Sequence, residues 1–201
     1  LDACKDAAER QRTEAIIKRI LRGRDIKRYT YEWDEKWVIL IPSGWTNDHR
    51  GREPAEGFIN RVLPSLMKHL RPFEMKARAR DDQGDYWWEL RPCAYYAEFE
   101  KEKVVWQELA QGSQFAFDEQ GRFFVSNTAY IMTGTHLRYL LGYLNSRLNE
   151  ITYSRWYCTK LGSSGTRWLN QHVLSIPVPP ITPQNQPLVA QIEALVDEIL
   201  A

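Results

Sequence analysis

Apolar positions along the chain change period several times, and each change marks an element. Between residues 4 and 22, Ala8, Ala15, Ile16, Ile20 and Leu21 recur at helical spacing and Gly23 follows as a stop, so one helix is expected there. From Lys36 to Ile41 the chain becomes a continuous aromatic and branched run ended by Pro42-Ser43-Gly44, which predicts a buried strand and a turn. Residues 45–53 are polar, contain Gly51 and read as a loop. Phe58, Ile59, Val62, Leu66 and Leu70 predict a helix from Pro54 to Arg71, broken before Pro64. A short helix around Phe73 to Arg80 then leads into the turn Asp81-Asp82-Gln83-Gly84.

Shorter runs follow. Tyr86–Leu90 and Lys103–Trp106 read as strands, as do residues 114–117, 122–125 and 129–132, with Asp118-Glu119-Gln120-Gly121 as a hairpin turn between two of them. Alternation across a sheet places one of Trp87 and Trp88 in the core and leaves the other exposed. Thr135 is positioned to cap one long helix with the stripe Leu137, Leu140, Leu141, Leu144, Leu148 and Ile151. Ile176-Pro177-Val178-Pro179-Pro180 is an extended connector. After Pro183, Leu188, Ile192, Leu195 and Ile199 form a coiled-coil seam, expected to pack on Ala15, Ile16 and Ile20 or on a second copy. The sum is an α+β fold: a small mixed, mainly antiparallel sheet with flanking helices and a projecting, coiled-coil-like C-terminal helix.

At 201 residues and 43% hydrophobic, the chain can fill one well-packed domain with an appended helix, but not two full domains. Apolar runs such as Trp37–Ile41 are too short to cross a bilayer, and no basic start followed by an apolar stretch suggests a secretory signal. Cys4, Cys93 and Cys158 are odd in number and scattered, which suggests neither a disulfide framework nor a zinc site and fits the cytoplasm. With no initiating Met, and a last residue inside an amphipathic stretch, the chain reads as a segment of something longer.

The net charge is only +1, but it is segregated: residues 10–30 carry a net +6, residues 61–80 a net +5, and residues 151–182 a net +3 with no acid at all. Three such runs make one positive face if the fold gathers them, and are solvated helix faces if it does not. No phosphate-binding P-loop and no nucleophile elbow is present. Asp25-Ile26-Lys27, Asp34-Glu35-Lys36 and Glu74-Met75-Lys76 each fit the acid-x-Lys half of a metal-dependent nuclease, a pattern that also arises by chance in a chain this charged. Trp87, Trp88 and Trp168 could stack on bases or fill the core. The Gly162–Gly165 loop before Thr166-Arg167 could hold a phosphate oxygen or be a plain surface loop.

The ordered motifs resemble a known family. Leu21-Arg22-Gly23-Arg24-Asp25-Ile26-Lys27-Arg28-Tyr29 is similar to the opening signature of the TaqI-like C-terminal specificity domain. The later order agrees: Pro64 to Leu70, a basic helix ending at Arg80, Trp87-Trp88-Glu89-Leu90, Phe99-Glu100-Lys101, Lys103 to Trp106, Asn127 to Ile131, Tyr139 to Ser146, and Ile176-Pro177-Val178-Pro179. The tail, Pro179 to Gln184, resembles the join to a spacer helix in type I specificity subunits. The resemblance implies a target-recognition domain from a type II restriction–modification, adenine-specific DNA methyltransferase of bacteria or archaea, some of which are fused to a nuclease. It implies double-stranded DNA and a covalently linked catalytic domain as partners, with self-association through the last helix as a further possibility. No cofactor is expected in this chain; the parent would use S-adenosylmethionine, and Mg²⁺ if it cleaves. The Asn-Pro-Pro-Tyr motif and the cofactor-binding glycine motif of such enzymes are absent, so this segment is expected to place DNA rather than react with it. The expected division is a linker helix over 1–22, a recognition domain over 23–180 and a spacer helix over 181–201.

Donors on loops and helix ends are the candidates for touching DNA. Arg78, Arg80 and Gln83 are expected on one wall of a cleft and Lys160, Ser163, Ser164 and Arg167 on the other, with Arg24, Lys27 and Arg28 on phosphates nearer the catalytic domain. The bland alternative pairs Arg78 and Arg80 with Asp81, Asp82 or Asp85. Two other functions stay open: a stand-alone Mg²⁺-dependent nuclease, and a protein-interaction domain without DNA.

Overall fold

The computed structural model describes residues 1–157 and 165–201. Contacts divide the chain into two units, Leu1–Lys18 with Trp37–Tyr96 and Arg19–Lys36 with Ala97–Ala201, so the stretch 23–180 holds parts of both. The elements are helices and small, mostly antiparallel sheets, an α+β fold. No helix among the described residues is long and apolar enough to cross a membrane.

In the first unit, α1 (Ala7–Ile16) is capped by Asp6, whose carboxylate accepts the Glu9 amide at 2.7 Å. The helix expected over 4–22 stops at Ile16, and Ile17–Leu21 form the strand β1. Ile17 and Ile20 are β-branched and suit extended backbone better than a helix. Glu9 is fully buried and reaches the start of α4 (Pro64–Leu70), accepting the Ser65 amide at 2.8 Å. Burial would raise its carboxyl, but the amides of Lys5 and Ser65 hold it below the usual range.

Strand β2 (Trp37–Ile39) is short and not buried, with Trp37 53% exposed. Residues 45–53, expected as a loop, contain α2 (Trp45–Arg50). Its polar face is solvated, and its first amides are satisfied from far along the chain: buried Glu89 accepts from Gly44 at 3.2 Å and Thr46 at 2.9 Å. The helices α3 (Ala55–Val62) and α4 flank Leu63 as the proline spacing predicts, and α5 (Glu74–Arg78) follows. Tyr86–Leu90 is a turn rather than a strand, with an isolated Gln83–Leu90 bridge and the Leu90 amide donating to the Ile41 carbonyl at 2.8 Å. Both Trp87 and Trp88 are therefore core, packed with Ile41, Ile59, Leu66 and Met67, and the Trp88 indole N–H donates to Thr46 Oγ1 at 2.9 Å.

The second unit is built on β3 (Lys103–Gln107), which pairs antiparallel with β5 (Phe115–Asp118) and β7 (Ala129–Met132), Val104 lying opposite Phe117 and Met132. The short β4 (Leu109–Ala110) lies between β3 and β5 in the chain. Strand β6 (Phe123–Val125) pairs in parallel with the end of β1, Arg19 opposite Phe123, and not with β5. The turn after Asp118 is thus no hairpin; it passes the chain from one sheet to another. Gly121, at φ +60°, lies so close to Glu100 that a Cβ would come within 2.3 Å of its carbonyl oxygen. Asp118 accepts from the Arg122 and Phe123 amides and from Lys103 Nζ at 2.6 Å, both side chains of the pair being buried.

The long helix expected after Thr135 is two. Helix α6 (Leu137–Leu144) starts after His136 without a side-chain cap, and Ser146 caps α7 (Arg147–Trp156) by accepting the Asn149 amide at 3.1 Å. At the break, Asn145 makes two bonds to Phe115, accepting its amide and donating to its carbonyl. Leu148 and Ile151 are consequently exposed instead of continuing the core stripe. Beyond β8 (Thr166–Arg167), which pairs with β4, and the short α8 (Asn170–Val173), the connector is held by Tyr139 and Tyr143, whose hydroxyls donate to the Pro179 and Pro177 carbonyls. Helix α9 (Gln186–Leu200) lies along α6 rather than projecting, with Val189 and Val196 buried. Gly142 allows this approach: a Cβ there would meet Ile192 at 2.8 Å and Val196 at 3.0 Å. Of the expected seam, Ile192 lies against Gly142, while Leu188, Leu195 and Ile199 remain more than half exposed.

Candidate nucleic-acid interface

In the first unit, the basic helix α5 and the turn after it present the candidate donors. Glu74 lies between two arginines, 2.8 Å from Arg71 and 2.7 Å from Arg78, and those bonds hold its carboxyl below the usual range. Arg78 pairs one helical turn back, with Glu74, and not with the aspartates that follow it. Its guanidinium also lies 5.8 Å from the Trp87 ring centre, and more than half of its side chain is exposed. Arg80 has a different task. Its guanidinium donates to the carbonyls of Ala77, Trp87 and Glu89 at 3.1, 2.8 and 2.9 Å, tying the end of α5 to the tryptophan turn.

That turn is fixed by Glu89, which also accepts the Asp85 amide at 2.9 Å. Gly84 is required beneath it, since a Cβ there would come within 2.6 Å of Glu89 Cβ. Gln83 is placed beside Arg78 as a result, with only a long 3.4 Å bond to the Arg78 carbonyl. The two line a cavity of about 310 Å³ with Glu56, Asp85, Tyr86 and Trp87. Among the described residues the Trp87 indole N–H finds no hydrogen-bond partner. The depression therefore offers a guanidinium and a carboxamide, the side chains that pair with guanine and adenine edges, between two carboxylates.

In the second unit, the signature around Gly23 is a folding device as well as a charge cluster. Asp25, 4% exposed, accepts the Arg22 amide at 2.8 Å and its guanidinium at 2.8 Å, while the same guanidinium bridges to Asp34 at 2.7 Å. Burial would raise the Asp25 carboxyl, but the Arg22 bonds outweigh it and hold the group low. Gly23 is pressed on Thr128, whose carbonyl would lie 2.6 Å from a Cβ. Arg24 is exposed beside Glu32 and Trp33. Lys27 Nζ donates to the Arg24 carbonyl at 2.6 Å. Arg28 reaches the Asn145 carbonyl at 2.9 Å, a cation at the C-terminus of α6.

Arg167 sits on β8, half exposed and 3.5 Å from Glu108. The acid-free run in the sequence is thus not acid-free in space: Glu108 faces Arg167, and Glu150 lies near Thr166. Lys160, Ser163 and Ser164 lie outside the described residues. Trp87, Trp88 and Trp168 are all at most 5% exposed, so none offers a ring face for stacking. The acid-x-Lys pairs lose two carboxylates to arginine, Asp25 and Glu74, and no group of three metal-ligating side chains occurs among the described residues.

Helix α7 went unrecognised as a presenting surface because its apolar residues continue the stripe of α6. The signal that separates the helices is Asn145-Ser146, a helix end followed by a cap residue. Arg147 and Arg155 are exposed on it, as are Leu148 and Ile151, and Glu150 is half buried.

No curated protein matches the chain. The model of the TaqI-like C-terminal specificity domain matches residues 18–178, from β1 through α8 and into the proline connector. The chain therefore belongs to the TaqI-like C-terminal specificity domain family.

Proposed function

We propose that this chain reads the sequence of duplex DNA and positions the target site for the catalytic part of an adenine-specific methyltransferase of a type II restriction–modification system. The family match over residues 18–178 carries the reading. The division of labour has a physical basis. Rotating a base out of the duplex costs about a few kcal/mol, so the flanking duplex has to be held while that happens. Phosphate contacts set the register and side chains at base edges supply specificity.

Arg78 and Gln83, side by side in one depression, are the proposed base-reading pair of the first unit. Arg24, Lys27, Arg28 and Arg167, together with Lys160, Ser163 and Ser164, are proposed to contact the backbone. Arg80 acts chiefly by holding the turn that presents Gln83. Catalysis and the S-adenosylmethionine cofactor belong to the linked catalytic part, as does Mg²⁺ if the parent cleaves. The exposed edge of α9, Leu188, Leu195 and Ile199, is the proposed route to self-association.

Electrophoretic mobility with a mixed duplex pool at low salt tests the reading. The wild-type chain should retain duplex, and replacing Arg24, Arg78 and Arg167 together by Ala should abolish retention while leaving the fold intact by circular dichroism. Equal retention by both proteins contradicts it.

A further inference from the structure

A second depression lies entirely within the second unit and has a chemistry of its own. It encloses about 220 Å³ between α7 and the β4–β8 ribbon, lined by Gly112, Arg147, Glu150, Ser154, Thr166 and Trp168. Glu150 is half buried there, its carboxylate 3.2 Å from the position a Cβ on Gly112 would occupy. Gly112 has φ +83°, where side chains are strained, so the space that admits the carboxylate is fixed by the backbone. Among the described residues Glu150 makes neither a side-chain hydrogen bond nor an ion pair, although Arg147 stands one helical turn before it. The Ser154 hydroxyl donates to the Ile151 carbonyl, so what it offers the depression is acceptor capacity. The lining strand continues directly into Arg167, one of the donors proposed for DNA.

A carboxylate near a polyanion weakens every complex in which it finds no donor. Facing the major groove, it is repelled by guanine N7 and O6, by thymine O4 and by adenine N7. Cytosine alone presents an amino donor without an adjacent acceptor of its own. A neighbouring arginine has the complementary preference, pairing with guanine N7 and O6. We propose that Glu150 is a specificity-determining residue that accepts a hydrogen bond from a cytosine 4-amino group, with Arg147 on the guanine of the same or the adjacent base pair. This rests on the DNA-reading function above and assigns one base pair of the site to α7.

Selection from a randomised duplex pool with the full 201-residue chain tests it. The wild type should enrich a site containing a C·G pair at one position. Glu150→Gln, the same in shape, should lose about tenfold or more of the preference at that position and move it toward adenine, which a carboxamide reads, with the other positions unchanged. Glu150→Asp keeps the charge but shortens the reach, and should lose the same preference without gaining adenine. Thermal unfolding of both variants checks that the fold persists. Identical base frequencies at every position in wild type and both variants overturn this inference alone. A wild-type chain that holds no duplex, or enriches no sequence, overturns the DNA-reading function and this inference with it.

Discussion

Two arginines two positions apart, Arg78 and Arg80, read alike in the sequence and do different work. Arg78 is an exposed partner of Glu74, and a pairing so open to solvent adds little to stability. Arg80 satisfies three backbone carbonyls around the tryptophan turn. Arg78→Ala should therefore leave the unfolding midpoint nearly unchanged, whereas Arg80→Ala should lower it clearly; equal midpoints would refute the assignment. Nothing near Arg80 in the sequence could reveal this, because two of its acceptors are the carbonyls of Trp87 and Glu89, positioned only once the turn has formed. Asp25 supplies a pH test. Its carboxyl is held below the unfolded value of about 3.9, so it stabilises the fold above that pH, and the contribution disappears as pH falls through the depressed folded value. Asp25→Asn should be less stable than wild type near neutrality, with the difference shrinking toward pH 3. A constant difference across that range in pH-dependent thermal unfolding would contradict the account.

Among the elements, those set by local signals were legible. Pro64 divides α3 from α4 where the sequence says it should, and the aromatic and branched runs of β3, β5 and β7 fall where they are expected. Elements whose ends are satisfied from a distance were not. Helix α2 is hidden in a polar run because Glu89 meets its first amides, and α9 carries two apolar stripes of which packing selects Val189 and Val196. Gly142 decides that choice. Gly142→Leu should displace α9 and expose the amides of Val189 and Val196 to faster hydrogen exchange, and unchanged exchange would mean that α9 is held by other contacts. At the junction of α6 and α7, Asn145→Ala leaves the buried Phe115 amide without its partner, costing about 1–3 kcal/mol, while the Phe115 carbonyl keeps the Tyr29 amide at 2.8 Å. Chemical denaturation of this variant should show a correspondingly lower midpoint.

For the molecule as a whole, a net charge of +1 hides a segregation that matters for a polyanionic partner. The structure tempers that reading, since several of the basic residues are engaged: Arg22 with Asp25 and Asp34, Arg71 with Glu56 and Glu74, Arg61 with Glu53. What remains are exposed donors on short elements, few enough that binding should be modest and strongly electrostatic. Family membership was legible because motif order survives where single motifs are ambiguous; the side chains that read bases follow no such order and depend on turns and helix breaks. The most direct measurement is fluorescence anisotropy of a labelled duplex titrated with the chain over a series of salt concentrations. Counterion release from about three to six phosphate contacts predicts a linear fall of log K with log salt, with a slope of roughly −3 to −5. Binding that does not change with salt, or no binding at the lowest salt, would contradict the central claim.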